Sequence, residues 1–526
     1  MRSPSCSFTV VGLARCALWA LATGPALLPG VVSAQTTPEP GKAPQEQGKV
    51  KPPSWVLEPR IKVQHTVTSN ARRDATAASD QLTEVSPGLR WIGNTARVKG
   101  FADYSLRGFH YARRTAPSGI EHNLNSRASI EAVEERVFMD VNGVVKMQSL
   151  SAFGAPVDGA PAHPNAVQTS SFGLSPYVRG RLGSVADYEA RYSVQRTHTD
   201  SARRSNATLQ DWLFRLDNQH SGQLLGWSVD ATQEKADYSI GRSIDTTALR
   251  ARLSYAVTPQ LELAVLGGAE STNQISLVRE SHSITGVGAQ WHPSARTKLV
   301  FERENRYFGS AHNVLLEHRT ARTVWRYTDK KGVSNGLGAP SASLGGLFDL
   351  LDGFYSATEP DPILRTQRVL AEIERLGLPA DLQVPQDFLR SSSTLERVQQ
   401  LSLALLGRRS MVTLAVMQSE NQRLGQLGVN LGDDLDANGR IRQRGWSLLL
   451  AHLLTPNTAV QAAWIGQRNT GTVPGQETRV RSLAVGLSTL LAPRTNASLV
   501  LRRTLSDGSA SPYNESAIVA TLTHRF

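Results

Sequence analysis

A chain of 526 residues, 40% hydrophobic and 19% charged, has room for several ordinary domains or one very large one. Past residue 34 no stretch offers the ~18 consecutive apolar residues of a spanning helix, which excludes a helical membrane protein. Lysine and arginine outnumber aspartate and glutamate 57 to 45, and the formal net charge of +12 points to an anionic partner.

The first 34 residues read as a secretory signal. Arg2 precedes a small and apolar run from Phe8 to Val32, and Val32-Ser33-Ala34 is a small-residue cleavage site. Arg15, Pro25 and Pro29 interrupt that run, so it suits export better than anchoring. Both cysteines, Cys6 and Cys16, fall inside it, so the exported chain relies on no disulfide. Residues 35–54, rich in Pro, Gln and Lys, read as a flexible linker. Export removes nucleic acid from the candidate partners and leaves membrane lipid or an anionic polysaccharide.

From Trp55 onward a two-residue rhythm recurs. In "DYEARYSVQRT", Tyr188, Ala190, Tyr192 and Val194 alternate with Glu189, Arg191, Ser193 and Gln195. "DWLFRLD", "ALRARLSYAVTP" and "RSLAVGLSTLL" repeat the pattern. Alternation of this kind marks strands with one apolar and one polar face. Their length approaches the roughly 9–11 tilted residues that cross a bilayer and exceeds the soluble mode. The connections are of two kinds. Short ones are built on Pro259, Pro293, Pro456 and Pro493, since proline presets a tight turn. Long polar ones include "TSNARRDATAASDQ", "RTAPSGIEHN", "FGAPVDGAPAHPNAVQTS" and "NLGDDLDANGR". Short turns alternating with long loops is the pattern of an outer-membrane β-barrel of Gram-negative bacteria.

Counting gives about fourteen strands up to Asp329 and about seven from Leu395 onward, with one upward crossing missing between them. The fold expected is therefore all-β, a large antiparallel barrel of about 20–22 strands over residues 55–526, parity favouring 22. The intervening segment, 330–394, differs in kind. In "PDPILRTQRVLAEIERLGLP", Val369, Leu370, Ile373 and Leu376 have helical spacing, with Pro360 and Pro362 before them and Gly377 and Pro379 after. This insert reads either as a decoration outside the barrel or as a plug in its lumen.

The last strand, "SAIVATLTHRF", sets Phe526, His524, Leu522, Ala520 and Ile518 on one face. No edge can stay unpaired in hydrocarbon, so this strand closes against the first. Phe526 and Leu522 look like the signal by which the barrel-assembly machinery receives its clients; His524 stands where an aromatic such as Tyr is more usual. Deleting Phe526 is expected to keep the protein out of the outer-membrane fraction, and normal levels there after deletion would contradict this.

Inside such a barrel the arginines on the polar faces, Arg179, Arg181, Arg191, Arg250 and Arg252, line the lumen. At midplane on the lipid side each would cost roughly 2–4 kcal/mol. They either attract anions or are balanced by carboxylates such as Asp187, Glu189 and Asp230. No Ser/His or Asp/His arrangement of an outer-membrane hydrolase is evident, His110, His198 and His452 read as lumen or interface side chains, and no enzyme and no cofactor are expected. "DLDANG" (434–439) begins like a calcium loop, but its twelfth position is Gly445 where a bidentate Glu is needed, so it reads as a solvated loop.

"VSPGLRWIGNTARVKGFADYSLRGFHYA" (Val85 to Ala112), "LSAFG" (Leu150 to Gly154), "SPYVRGRLGSVADYEARYSV" and "LGWSVDATQEKADYSIGR" resemble the PEP-CTERM system-associated outer-membrane proteins. "RTVWRYTD" followed by "GLFDLLDGF" and "EPDP" resembles that family's mid-chain strand and helical insert. The resemblance spans about residues 55–526. It implies association with exosortase and exopolysaccharide systems, and so a channel or export component; the alternative is a closed structural or receptor-like surface barrel.

Overall fold

The structure is a computed structural model and describes residues 54–157, 163–201, 204–218, 224–336, 346–356, 359, 361–376, 387–425, 431–508 and 512–526. The expected signal peptide and linker, up to residue 53, lie outside them. The strands run β1 (Trp55–Thr68), β2 (Asp80–Asn94), β3 (Val98–Tyr111), β4 (Gly119–Val133), β5 (Val137–Ser149), β6 (Ala166–Leu182), β7 (Ala186–Thr199) and β8 (Ala207–Asp217). Then come β9 (Leu225–Tyr238), β10 (Ile244–Thr258), β11 (Leu261–Thr272), β12 (Glu280–Ser294), β13 (Thr297–Arg306), β14 (Gly309–Arg319) and β15 (Thr323–Ser334). Helices α1 (Gly346–Tyr355) and α2 (Pro362–Arg375) follow, then β16 (Thr394–Leu406) and β17 (Ser410–Arg423). A short helix α3 (Asp434–Asn438) precedes β18 (Arg440–Thr455), β19 (Thr458–Thr470), β20 (Glu477–Ala492), β21 (Thr495–Gly508) and β22 (Tyr513–Arg525).

Each strand pairs antiparallel with the next, and β22 returns to β1 from Arg60↔Arg525 to Thr68↔Ala517. The sheet is a closed 22-stranded ring, so no strand in the wall is left with an unpaired edge. Phe526 extends the seam by donating its N–H to the Pro59 carbonyl at 3.0 Å, and its ring meets His524 edge-to-face. His524 in turn bonds the Thr495 hydroxyl at 2.9 Å, which lets an imidazole stand at this outward position.

Alternation assigns the two faces. On β10, Leu249, Leu253, Tyr255 and Val257 are exposed outward, whereas Thr246, Ala248 and Ser254 are buried inward. Most short connections gather at one end of the ring, called here the turn end, and most long ones at the other, the loop end; the two-residue β13–β14 link at the loop end and the seven-residue β8–β9 link at the turn end are exceptions. Outward positions near the turn end carry Trp55, Trp91, Tyr188, Trp227, Tyr255, Trp291 and Trp325. This is the aromatic girdle of a membrane barrel at one interface.

Three details differ from the sequence reading. Strands run from 10 residues (β13) to 17 (β6), longer than expected, because they continue past the apolar belt into the loops. The missing crossing is not within 330–394. Fifteen strands precede the insert, "RTVWRYTD" being the upward β15, and β15 pairs directly with β16 from Ser334↔Thr394. Pro259, Pro456 and Pro493 sit in turns, but Pro293 lies within β12, at a register irregularity between Trp291 and Ser294. Proline lacks the ladder donor, and a bulge is where a strand tolerates that.

Candidate functional site

The insert leaves and rejoins the wall at the loop end, since Ser334 and Thr394 are register partners there. Its helices nevertheless contact the wall at the turn end. Buried Leu347, Phe348, Leu351 and Tyr355 of α1 and Val369 and Ile373 of α2 form one cluster with Met411 of β17, Leu449 and Leu453 of β18 and Ala459 of β19. The wall members occupy inward positions close to the short turns. Leu350 joins Val324 and Ala404 in a second patch. Each buried side chain of this size contributes roughly 1.5–3 kcal/mol, so the helices are seated rather than loosely enclosed.

Polar contacts then tie the helices to β14 on one side of this seat and to β22 and β2 on the other. Arg319 on β14 donates to the Ser356 hydroxyl at 2.7 Å, just after α1. Asp361, whose carboxylate caps α2 by accepting from the Leu364 N–H, also accepts from Asn94 of β2 at 3.3 Å. Arg525 of β22 is ion-paired with both Glu58 of β1 and Glu374 of α2. Helix α2 also packs against β3. Strands β3 and β14 are eleven apart in a ring of 22, so the helices bridge the full lumen. The apolar spacing legible in Val369 and Ile373 marks the helix face that is buried on the inner wall.

The loop end carries a second closure. Phe388, in the part of the insert that follows its helices, bridges to Ser149 and clusters with Ala152, Phe153, Leu435 and Ile441. The Asp434 carboxylate accepts from the Ser151 hydroxyl at 3.0 Å and the Ala152 N–H at 2.7 Å. Burial pushes this carboxyl above its usual range against those two hydrogen bonds. The "DLDANG" segment is α3, with Asp433 as its capping-box residue, and Arg423 pairs with Asp433 and Asp436 at 2.8 and 2.5 Å. Its carboxylates therefore serve a cap and a loop–loop joint. Thr478 donates to the Phe153 carbonyl at 2.9 Å, so the β5–β6 loop reaches β20 across the mouth.

Between the two closures a cavity of about 480 Å³ opens along β15 and β16, with Leu350 of α1 on its border. Arg326, Lys330 and Glu396 give it charge, and Thr328, Gln400 and Ser402 give it hydroxyl and amide groups.

The five expected lumen arginines all occupy inward positions. Arg252 pairs with Glu302 at 2.9 Å and Glu262 at 3.5 Å, and Arg250 lies 3.9 Å from Glu304. Arg191 bridges Asp140 and Glu189, both at 2.8 Å, and stacks over Tyr177, 3.8 Å from its ring centre. Arg181 pairs with Asp187 at 3.2 Å, and Arg179 covers Phe138, which itself stacks on Tyr177. Four of the five are thus balanced by acids. Asp230, named among the balancing carboxylates, pairs with Arg215 at 2.6 Å. Further lumen pairs, such as Arg107 with Glu84 and Glu121, and Arg306 with Glu270, were not singled out in the sequence. Cross-strand register creates them, and a single strand does not reveal its neighbour. His110, His198 and His452 all face outward by register, so none lines the lumen.

Reversing Arg250 and Arg252 to Glu sets two new carboxylates beside Glu262, Glu302 and Glu304. In a variant lacking the insert, reversal-potential measurements are expected to shift toward cations; an unchanged potential would place these residues off the ion path.

No family model and no curated protein matches the chain. Among solved structures it is similar to the siderophore receptor PirA from Pseudomonas aeruginosa, with TM-score 0.44 and 9% identity over 90% of this chain and 81% of that one. It is similar to the FrpB iron transporter from Neisseria meningitidis, with TM-score 0.48 and 10% identity over 90% and 82%. For OccK11 from Pseudomonas aeruginosa the values are 0.31 and 10%, over 90% and 96%. Similarity of this order leaves the role of this chain to be read from its lumen.

Proposed function

We propose that this chain is an outer-membrane channel or export component whose lumen is held shut by its own helical insert. The observation that carries the reading is the seat of α1 and α2, with their apolar face on Met411, Leu449 and Leu453 and their polar contacts on β14, β22 and β2. A surface decoration would have no cause to bury itself in the ring. A barrel of this width must either be filled or conduct, and a filling that enters as one tethered hairpin can also leave. The balanced lumen arginines and the hydroxyl-lined cavity suit a hydrated polar solute better than a path selective for one charge. Service to exopolysaccharide or sorted-protein output is proposed with it, on the sequence resemblance.

One observation favours the alternative of a closed, receptor-like surface barrel. The loop end has a packed apolar cap of its own, centred on Phe153, Phe388 and Leu435. Planar-bilayer recordings separate the two. Silence both in the intact protein and in a variant without the insert means a closed barrel, and conductance that appears on removing the insert means a gated channel.

A further inference from the structure

The outward face carries few basic side chains around most of the ring, but not at the loop end of four adjacent strands. Strand β18 presents Arg440, Arg442 and Arg444 outward, in register with neighbours that alternate the same way. Strands β19, β20 and β21 add Arg468, Arg479, Arg481 and Arg503. The other eighteen strands together place only Arg196, Lys235, Arg303, Lys331 and Arg397 on that face. Acids offset part of the cluster. Arg442 pairs with Glu420 at 2.9 Å, and Glu477 holds Arg468 and Arg479 at 2.9 and 2.5 Å. Three arginines are left with no carboxylate among the described residues. Arg444 bonds the Gln418 amide oxygen at 2.8 Å, Arg503 bonds the Ser516 hydroxyl at 2.5 Å, and Arg481 stands exposed opposite Gly466.

Directly toward the midplane the same strands turn apolar. Trp446 and Trp464 meet edge-to-face at 4.9 Å beside Leu483 and Leu501, and Gly466 leaves the space its neighbour's indole fills. An occupant of this surface must therefore present anionic groups to the guanidinium forks and acyl chains to the tryptophans and leucines. A second copy of the chain would bring arginine against arginine and is disfavoured. We propose that the outer face of β18–β21 is a binding site for a phosphate-bearing lipid of the leaflet on the loop side. Arginine forks match phosphate oxygens bidentately, and their charge is strongest next to hydrocarbon. The proposal rests on the outer-membrane reading above, and not on the plug.

Native mass spectrometry of the detergent-purified protein tests it, with bisphosphorylated lipid A as the probe and the same lipid after phosphatase treatment as its control. The intact protein is expected to prefer the phosphorylated form by about tenfold or more. The Arg444→Gln/Arg481→Gln/Arg503→Gln variant is expected to lose that preference, and Arg196→Gln, on the far side of the ring, to keep it. Equal binding of both lipids by the intact protein, or an undiminished preference in the triple variant, would overturn the proposal. If the triple variant fails to fold, Arg481→Gln alone decides, with a loss of about threefold expected. Heat-modifiable gel mobility on the same samples reports the barrel separately, so a failed membrane reading is distinguishable from a failed lipid site.

Discussion

Replacing residues 335–393 by an Asn-Gly turn is expected to raise single-channel conductance by about an order of magnitude or more while leaving the barrel folded. The design follows from the register. Ser334 and Thr394 are the last partners of the β15–β16 ladder, so a two-residue turn closes the hairpin without moving either strand. The wall retains all 22 pairings, none of which passes through the insert. Met411, Leu449 and Leu453 exchange helix contacts for lumen water, the ties at Asn94, Arg319 and Arg525 are released, and Phe388 leaves the loop-end cluster with Phe153 and Leu435. Heat-modifiable mobility should persist. Conductance equal to that of the intact protein would put the solute path elsewhere or deny that one exists.

The wall was legible because membrane and lumen impose opposite demands on alternate residues, and that demand is written in each strand by itself. "ALRARLSYAVT" announces its lipid face through Leu249, Leu253 and Tyr255 without reference to any neighbour. The helices were legible for the same reason, through the spacing of Val369 and Ile373. What could not be read was whatever depends on two distant segments meeting. Glu374 gives no hint that Arg525 waits for it, and Leu449 reads as one more strand leucine until α2 is laid on it. The outward arginines of β18–β21 are an intermediate case. Their alternation is visible in "RIRQRGW", but their gathering on one side of the ring needs the strand order. The strand count slipped near the insert because β15 and β16 are neighbours in the ring although a long segment separates them in the chain.

Val369→Asp is expected to unseat the plug without deleting it. Val369 is fully buried in the cluster shared by α1, α2 and the wall, and a carboxylate there costs several kcal/mol. The helices stay tethered at Ser334 and Thr394, so the variant should show noisy, partial openings between the intact protein and the insert-free form. Limited proteolysis should cut the insert faster. Glu374→Gln removes the ion pair to Arg525, a half-buried contact beside Glu58, and its effect should be smaller, on the order of 1 kcal/mol or less. The two variants together separate packing from charge as the force that seats the helices. If packing dominates, raising salt leaves the intact protein closed, because apolar burial is not screened. If the Arg525 contact dominates, high salt opens the intact protein and Glu374→Gln matches Val369→Asp. A Val369→Asp protein that is as silent and as protease-resistant as the parent would show that this helix is no gate.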